Sequence, residues 1–200
     1  MKLKTGAHTL SLVKNWGYIS LDFLSIKYIG NSTSPFNLDV NLVTPQPSSQ
    51  AVKVYNFLKE NFGKKVISGV ISDSTRNTDE PKWVFEKTGK WPALVGYDFM
   101  DHTWLKQNWI KYDGPFIQGK RHWENNGLVT LMWHWRDPLT KSGEFYTDKT
   151  SFDVSRISNP NSNEYKAMID DIDTIATYLK QFQKAGIPVI WRPLHEAAGG

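Results

Sequence analysis

Four runs of mostly apolar residues alternate with helix-like segments after residue 48, and this alternation constrains the fold more than any other feature. The runs are KKVISGVIS at 64–72, WPALVGYDFM at 91–100, GLVTLMWHW at 127–135 and IPVIWRPLHE at 187–196. Their central residues are apolar nearly throughout, which is typical of strands that are buried on both faces. We therefore predict an α/β fold, in which a parallel sheet is covered by helices.

The segments between these runs carry helix signals. A first helix is predicted after the Ser48–Ser49 pair with its end at Gly63, a second at 79–89 and a third around 116–125. The longest helix is predicted at 163–185, because its apolar residues recur in steps of three and four and form one stripe. The stripe consists of Tyr165, Met168, Ile169, Ile172, Ile175, Ala176, Leu179 and Phe182.

Both ends of this longest helix have local signals of their own. Asn161 and Glu164 have the spacing of a capping pair, so we expect them to bind the free backbone groups of the first turn. Gly186 and Pro188 follow the last apolar position, and this pair is typical of a helix end.

The residues before position 48 have a different composition. The segment NWGYISLDFLSIKYI at 15–29 is rich in branched and aromatic residues, which indicates strands, whereas residues 30–49 contain three prolines and many small polar residues. Within the latter, alternating apolar residues allow a short strand from Phe36 to Val43. We predict a β-rich segment at 1–30, a linker at 31–47 and the α/β domain at 48–200.

Composition excludes several classes of function. The chain contains no cysteine, which removes disulfides, thiolate metal sites and cysteine nucleophiles. The net charge is +4 and the cationic residues are scattered, so we expect no nucleic-acid partner. No run of about 18 apolar residues is present, so we expect no membrane span. The start, MKLKTGAHTL, lacks the apolar core of a signal peptide.

Polar and aromatic residues follow the predicted strands at the same end each time. In a doubly wound sheet we would expect a glycine-rich turn after the first strand, but the turn here is DSTRNT at 73–78. In a (β/α)₈ barrel the carboxyl ends of all strands converge on one site. The pattern therefore favours a barrel whose site includes Asp98, Asp101, His102, Trp133, His134, Trp135, Arg136, Asp137, Arg192, His195 and Glu196.

The residues alone leave the chemistry of this site open. Glu196 could be a general acid or base held by His195 or Arg192, or it could form a plain ion pair with Arg192 at the rim of the sheet. His134, which lies between two tryptophans, could equally be a hydrogen-bonded core residue. A zinc site from His102, His134, His195 and Glu196 is conceivable, but no metal-ligand spacing supports it.

Several of these segments together resemble glycoside hydrolase family 26, the β-mannanases. They are GKKVISGV, WPALVGYDFMDH, GLVTLMWHW and the long stretch from SNPNSNEYKAMI to WRPLHEAAGG, and the resemblance runs from about residue 48 to the end. Residues 15–29 resemble the last strands of a family 35 carbohydrate-binding module, so residues 1–30 would be the carboxyl-terminal remnant of such a β-sandwich.

This resemblance implies a retaining endo-β-1,4-mannanase on a (β/α)₈ barrel. The glutamate of the LHE motif, here Glu196, would be the acid/base. His134, Arg192 and His195 would bind substrate, as would Trp135 and Asp98. The substrate would be mannan, galactomannan or glucomannan outside the cell, with no cofactor and no metal ligand. Some members of the family cut mixed-linkage β-glucan or β-1,3-xylan, and loss of the chemistry would leave a carbohydrate-binding protein.

The resemblance also implies that the second catalytic carboxylate lies elsewhere. Retention requires two carboxylates about 5 to 5.5 Å apart, and the nucleophile of the family is a glutamate after the seventh strand. Only about four βα units are recognisable here, whereas a complete barrel has eight. We therefore expect residues 48–200 to be the first half of the barrel, and the chain to be inactive alone.

Overall fold

Four parallel strands form one sheet in the computed structural model, which describes residues 38–102, 110–141, 144 and 146–196. The strands are β1 (Gly69–Ser72), β2 (Leu94–Asp98), β3 (Leu128–Met132) and β4 (Ile190–Arg192), and they lie side by side in chain order. The sheet register aligns Asp98 with Met132 and Met132 with Arg192. The predicted α/β fold with a parallel sheet is confirmed.

The described ranges contain four α-helices close to the predicted bounds. They are α1 (Ser49–Asn61), α2 (Glu80–Thr88), α3 (Gly114–Glu124) and α4 (Asn163–Lys184), and short 3₁₀ turns cover Ser74–Arg76, Thr147–Lys149 and Val154–Arg156. None of these helices is both long and apolar enough to cross a membrane. As predicted, α4 ends before Gly186, whose φ of +68° suits a residue without a side chain.

The predicted capping pair at the start of α4 is wrong. Ser162 occupies the cap position in an extended conformation, and its hydroxyl accepts a 3.0 Å hydrogen bond from the backbone N–H of Tyr165. Glu164 instead turns inward, where it is buried and pairs with Arg156 at 3.2 Å. A serine directly before the first helical residue satisfies a free N–H at the helix end, so the pairing of Asn161 with Glu164 is unnecessary.

Two predicted strands differ from what is observed. The first strand begins only at Gly69, because the backbone N–H groups of Lys64 and Lys65 both donate to the carbonyl of Asn61 and continue the end of α1. Residues 38–43 form no strand. There the carbonyl of Asp39 accepts hydrogen bonds from Tyr55 and Lys59 of α1. The β-rich segment predicted at 1–30 and the first part of the linker lie outside the described residues.

The two faces of the sheet have different neighbours. Alternate residues of β2 and β3, together with the residue after each strand, pack against α3 and α4 and form the core. This core consists of Val95, Tyr97, Phe99, Val129, Leu131, Trp133, Ile175, Phe182 and Ile187. Because side chains alternate along a strand, the residues between them face the opposite side of the sheet. Asp98, His134 and Arg192 belong to this second face, at the carboxyl ends of three neighbouring strands.

Candidate active site

The carboxyl ends of β2, β3 and β4 bring together five of the six residues to which the family resemblance assigns a role, namely Asp98, His134, Arg192, His195 and Glu196. Backbone pairing continues beyond the strands, since the N–H of Trp133 donates to the carbonyl of Arg192 at 3.2 Å and that of His195 donates to Trp133 at 3.3 Å. This pairing places the residues after β3 beside those after β4. The imidazole rings of His134 and His195 are therefore edge to face, with centroids 4.1 Å apart.

Asp98 holds His134 through both of its carboxylate oxygens. Oδ1 accepts the backbone N–H groups of Met100 at 3.0 Å and of His134 at 3.1 Å. Oδ2 accepts a short hydrogen bond from Nδ1 of the His134 ring. The Asp98 side chain is only 17% exposed, so it has little surface left for a ligand. Its observed contacts are those of a residue that orients an imidazole.

Glu196 lies in front of the two histidine rings. Its Oε2 is 3.5 Å from Nε2 of His134, and its Oε1 is 3.6 Å from Nε2 of His195. The side chain is 70% exposed, so it can reach a bound molecule as well as the two rings. Its backbone φ is +57°, a left-handed conformation that costs free energy in residues other than glycine and is found at functional sites.

Arg192 binds His195 and not Glu196. Its Nη2 donates a 2.7 Å hydrogen bond to Nδ1 of the His195 ring, and the ion pair with Glu196 that the sequence left open is not formed. Burial lowers the pKa of His195, and the nearby His134 and Arg192 lower it further. A neutral imidazole is the form whose Nδ1 can accept a hydrogen bond from the guanidinium.

The donor set of this cluster does not suit a metal ion. Ligand atoms of His134, His195 and Glu196 lie within 4.8 Å of one another, which is the spacing that a cation would need. Because Arg192 donates to Nδ1 of His195, however, Nε2 of that ring carries the proton, and a protonated nitrogen cannot bind a metal. His102, the other residue of the zinc hypothesis, is buried and bonded to the Tyr112 carbonyl at 2.9 Å.

Trp135 makes its contacts away from this cluster. Its indole N–H donates to Asp171 of α4 at 3.1 Å, and its ring is stacked on Trp133 with centroids 4.5 Å apart. Asp171 is buried and also pairs with Lys141 from the loop after β3. No sequence signal distinguishes Asp171 from any other acidic residue on the face of a helix.

Asp137 holds the loop after His134 through hydrogen bonds. Its carboxylate accepts from the backbone N–H of Leu139 at 2.8 Å and from the hydroxyls of Thr140 and Thr150. Burial alone would raise the pKa of Asp137, but these hydrogen bonds outweigh it and the pKa lies below its usual value. The charge that follows the WHW motif therefore stabilises the loop.

Known proteins of similar sequence and fold identify the family of this chain. Residues 43–200 match the sequence profile of glycosyl hydrolase family 26. The chain belongs to this family. A mannan endo-1,4-beta-mannosidase of Thermothelomyces thermophilus is 34% identical to this chain over 99% of this chain's length. The solved structure of a β-mannanase from a symbiotic protist of the termite Reticulitermes speratus, in complex with a gluco-manno-oligosaccharide, is 36% identical and has a TM-score of 0.71.

A second solved structure, the Podospora anserina GH26-CBM35 β-(1,4)-mannanase, is 33% identical with a TM-score of 0.70 over 86% of this family 26 chain. The chain spans less than half of two of these relatives. It covers 42% of the Thermothelomyces protein, 54% of the termite protist chain and 39% of the Podospora chain.

Proposed function

We propose that this chain is the first half of the catalytic domain of a retaining endo-β-1,4-mannanase, with Glu196 as the acid/base. The observation that carries the proposal is the position of Glu196. An exposed carboxylate lies in front of two oriented imidazoles at the carboxyl ends of parallel strands, in a chain of glycosyl hydrolase family 26. A pure binding protein has no need of an acid in that position.

In this mechanism Glu196 acts twice. It first gives a proton to the oxygen of the leaving sugar, and later it takes a proton from the water that attacks the glycosyl-enzyme intermediate. Its exposure allows contact with the glycosidic oxygen, while the two rings behind it limit its rotation. We assign substrate contacts to His134, His195 and Arg192, and to Trp135 at a neighbouring subsite.

The nucleophile lies beyond Gly200 in this proposal. Asp98, the carboxylate beside His134, is already engaged by that ring and by two backbone N–H groups, so it is a poor candidate. The complete protein would be a (β/α)₈ barrel, with residues 1–30 as the remnant of a family 35-like carbohydrate-binding module and residues 31–47 as a linker. We further propose that this protein is secreted.

The substrate proposed is β-mannan, including galactomannan and glucomannan. Support comes from the relatives, since several curated proteins that resemble this chain carry the name mannan endo-1,4-beta-mannosidase. The structure of the termite protist β-mannanase, which holds a gluco-manno-oligosaccharide, points to the same class of polysaccharide.

Replacement of Glu196 tests the assignment in the complete enzyme. Glu196→Ala should slow mannan hydrolysis strongly, because proton transfer contributes about 10²- to 10⁴-fold in each step. The dinitrophenolate group of a dinitrophenyl mannoside departs without protonation, so we expect a burst of dinitrophenol followed by slow turnover. Added azide should restore turnover by attacking the intermediate, and the product should be a glycosyl azide of retained configuration.

A matched control and a clear contrary result are available. Glu124, an exposed glutamate on α3 that pairs with Lys120, should tolerate alanine without loss of activity. If Glu196→Ala abolished the burst with the activated substrate as well, Glu196 would be the nucleophile or a structural residue. The 200-residue chain on its own should show no mannan hydrolysis above background.

A further inference from the structure

We propose that His134 and His195 are held in opposite tautomers by Asp98 and Arg192, so that one ring accepts a hydrogen bond from Glu196 while the other donates a hydrogen bond to it. Each ring has its Nε2 directed at Glu196 and its Nδ1 fixed by a residue behind it. The residues behind the rings have opposite hydrogen-bonding character. The catalytic consequence rests on the function proposed above, but the tautomers themselves do not.

The tautomer of His134 follows from Asp98. An ionised carboxylate only accepts hydrogen bonds, so Nδ1 of His134 must carry the proton that it shares with Oδ2. In the neutral ring, Nε2 is then a bare acceptor. That nitrogen is 3.5 Å from Oε2 of Glu196, and a small rotation of the exposed glutamate brings it within hydrogen-bond distance.

The tautomer of His195 follows from Arg192. A guanidinium only donates hydrogen bonds, so Nδ1 of His195 must be the acceptor in the 2.7 Å contact. The proton of this neutral ring is therefore on Nε2, which is 3.6 Å from Oε1 of Glu196. The two imidazoles thus present an acceptor to one carboxyl oxygen of Glu196 and a donor to the other.

This arrangement suits a group that must change its protonation state twice in each cycle. Protonated Glu196 can donate from Oε2 to His134 while Oε1 accepts from His195, which orients the acid proton before it is transferred to the leaving oxygen. After transfer, the carboxylate keeps the hydrogen bond from His195. Neither Asp98 nor Arg192 touches the proton that Glu196 transfers, so in these steps both act as positioning residues through the rings.

Asp98→Asn provides a specific test, because the substitution should invert one tautomer. Oδ1 of Asp98 is held by the N–H groups of Met100 and His134, so an asparagine must place its oxygen there. Its amide NH₂ group then faces Nδ1 of His134 and donates to it. His134 is forced to carry its proton on Nε2, where it opposes the protonated form of Glu196. A similar exchange in the serine protease triad is known to leave geometry intact while producing the wrong tautomer.

The tautomers of the two rings can be read directly by NMR on the 200-residue chain. The probe is a long-range ¹H–¹⁵N correlation spectrum at about pH 8, well above the ordinary imidazole pKa of about 6.5. The chain has five histidines, so each signal is assigned by single His→Gln variants. We expect the proton on Nδ1 in His134 and on Nε2 in His195. Asp98→Asn should move the proton of His134 to Nε2 and leave His195 unchanged.

Asp101→Asn is the matched control. Asp101 is buried close to the end of β2 but pairs with Arg76 at 3.2 Å, so its substitution removes a buried charge without touching His134. Both tautomers should persist in that variant. The proposal is overturned if the wild-type rings share one tautomer, or if His134 keeps its proton on Nδ1 in Asp98→Asn. If Asp98→Asn does not fold, the wild-type spectrum still decides the matter.

Kinetics of the complete enzyme separate this inference from the proposed function. Asp98→Asn should lower kcat on mannan by about 10²-fold, the lower end of what general acid catalysis supplies, with little change in KM. The first step with a dinitrophenyl substrate should be unaffected. An unchanged kcat together with normal azide rescue of Glu196→Ala would reject the inference and keep the function. Full activity of Glu196→Ala would reject the function while the tautomers stand.

Discussion

The free energy of unfolding that is lost when Asp171 is replaced can be worked out from its two hydrogen-bond partners. This carboxylate on α4 is 3% exposed, and it accepts the indole N–H of Trp135 at 3.1 Å. It also pairs with Lys141, whose side chain is 41% exposed. If the carboxylate is removed, the half-buried indole N–H of Trp135 loses its acceptor and cannot easily reach water. Lys141 can bind water instead.

We expect Asp171→Ala to lower the free energy of unfolding by about 2–3 kcal/mol. Most of this loss comes from the indole N–H of Trp135, since an unsatisfied donor away from water costs about 1–3 kcal/mol. The ion pair with Lys141 adds about 1 kcal/mol at most, because the lysine is solvated. Asp171→Asn keeps an acceptor oxygen for the indole, so its cost should be only about 1 kcal/mol.

Urea denaturation of the 200-residue chain, followed by circular dichroism, measures these differences. Asp173→Asn on the same helix changes an exposed residue and should stay within about 0.5 kcal/mol of wild type. If the alanine and asparagine variants of Asp171 were equally stable, the hydrogen bond to Trp135 would contribute nothing and the reasoning would be refuted. In the complete enzyme, a released Trp135 should raise KM for mannan with little change in kcat.

Two further predictions concern stability. Burial lowers the pKa of His102 below that of an ordinary imidazole, so the unfolded chain binds more protons and the free energy of unfolding should fall as the pH drops below about 6.5. His102→Gln can still donate a hydrogen bond to the Tyr112 carbonyl, and it should make the free energy of unfolding less dependent on pH. If the variant kept the pH profile of the wild type, the prediction would be wrong. Gly127→Ala would place a methyl group 2.0 Å from Nε2 of the buried His122 and should cost about 1–3 kcal/mol in thermal unfolding. Gly89→Ala, where φ is +69° but no atom lies within 4 Å, should cost only about 1 kcal/mol, and equal losses at both sites would rule out the steric cause.

The helices and the positions of the strands along the chain were predictable from the sequence because their signals are local. The apolar stripe of α4 and the glycine after it lie within one continuous segment, and the helix forms at 163–184 almost as predicted. Ser162 caps α4 in place of the predicted pair because it is the polar residue directly before the first turn, so this difference also has a local cause. Apolar runs that end in polar residues likewise indicated which edge of the sheet carries the site.

The partners of the site residues were decided only by the tertiary structure. The pairing of β2 with β3 brings Asp98, for which the family resemblance implied a substrate contact, to His134, which is 36 residues away in the chain. Arg192 could have reached Glu196 by sequence spacing, yet it binds His195. Trp135 turns to Asp171, which belongs to a helix. Beyond a strand end the alternation of side chains is no longer set by local preference, so neighbouring strands and helices determine where each polar group finds its hydrogen bonds.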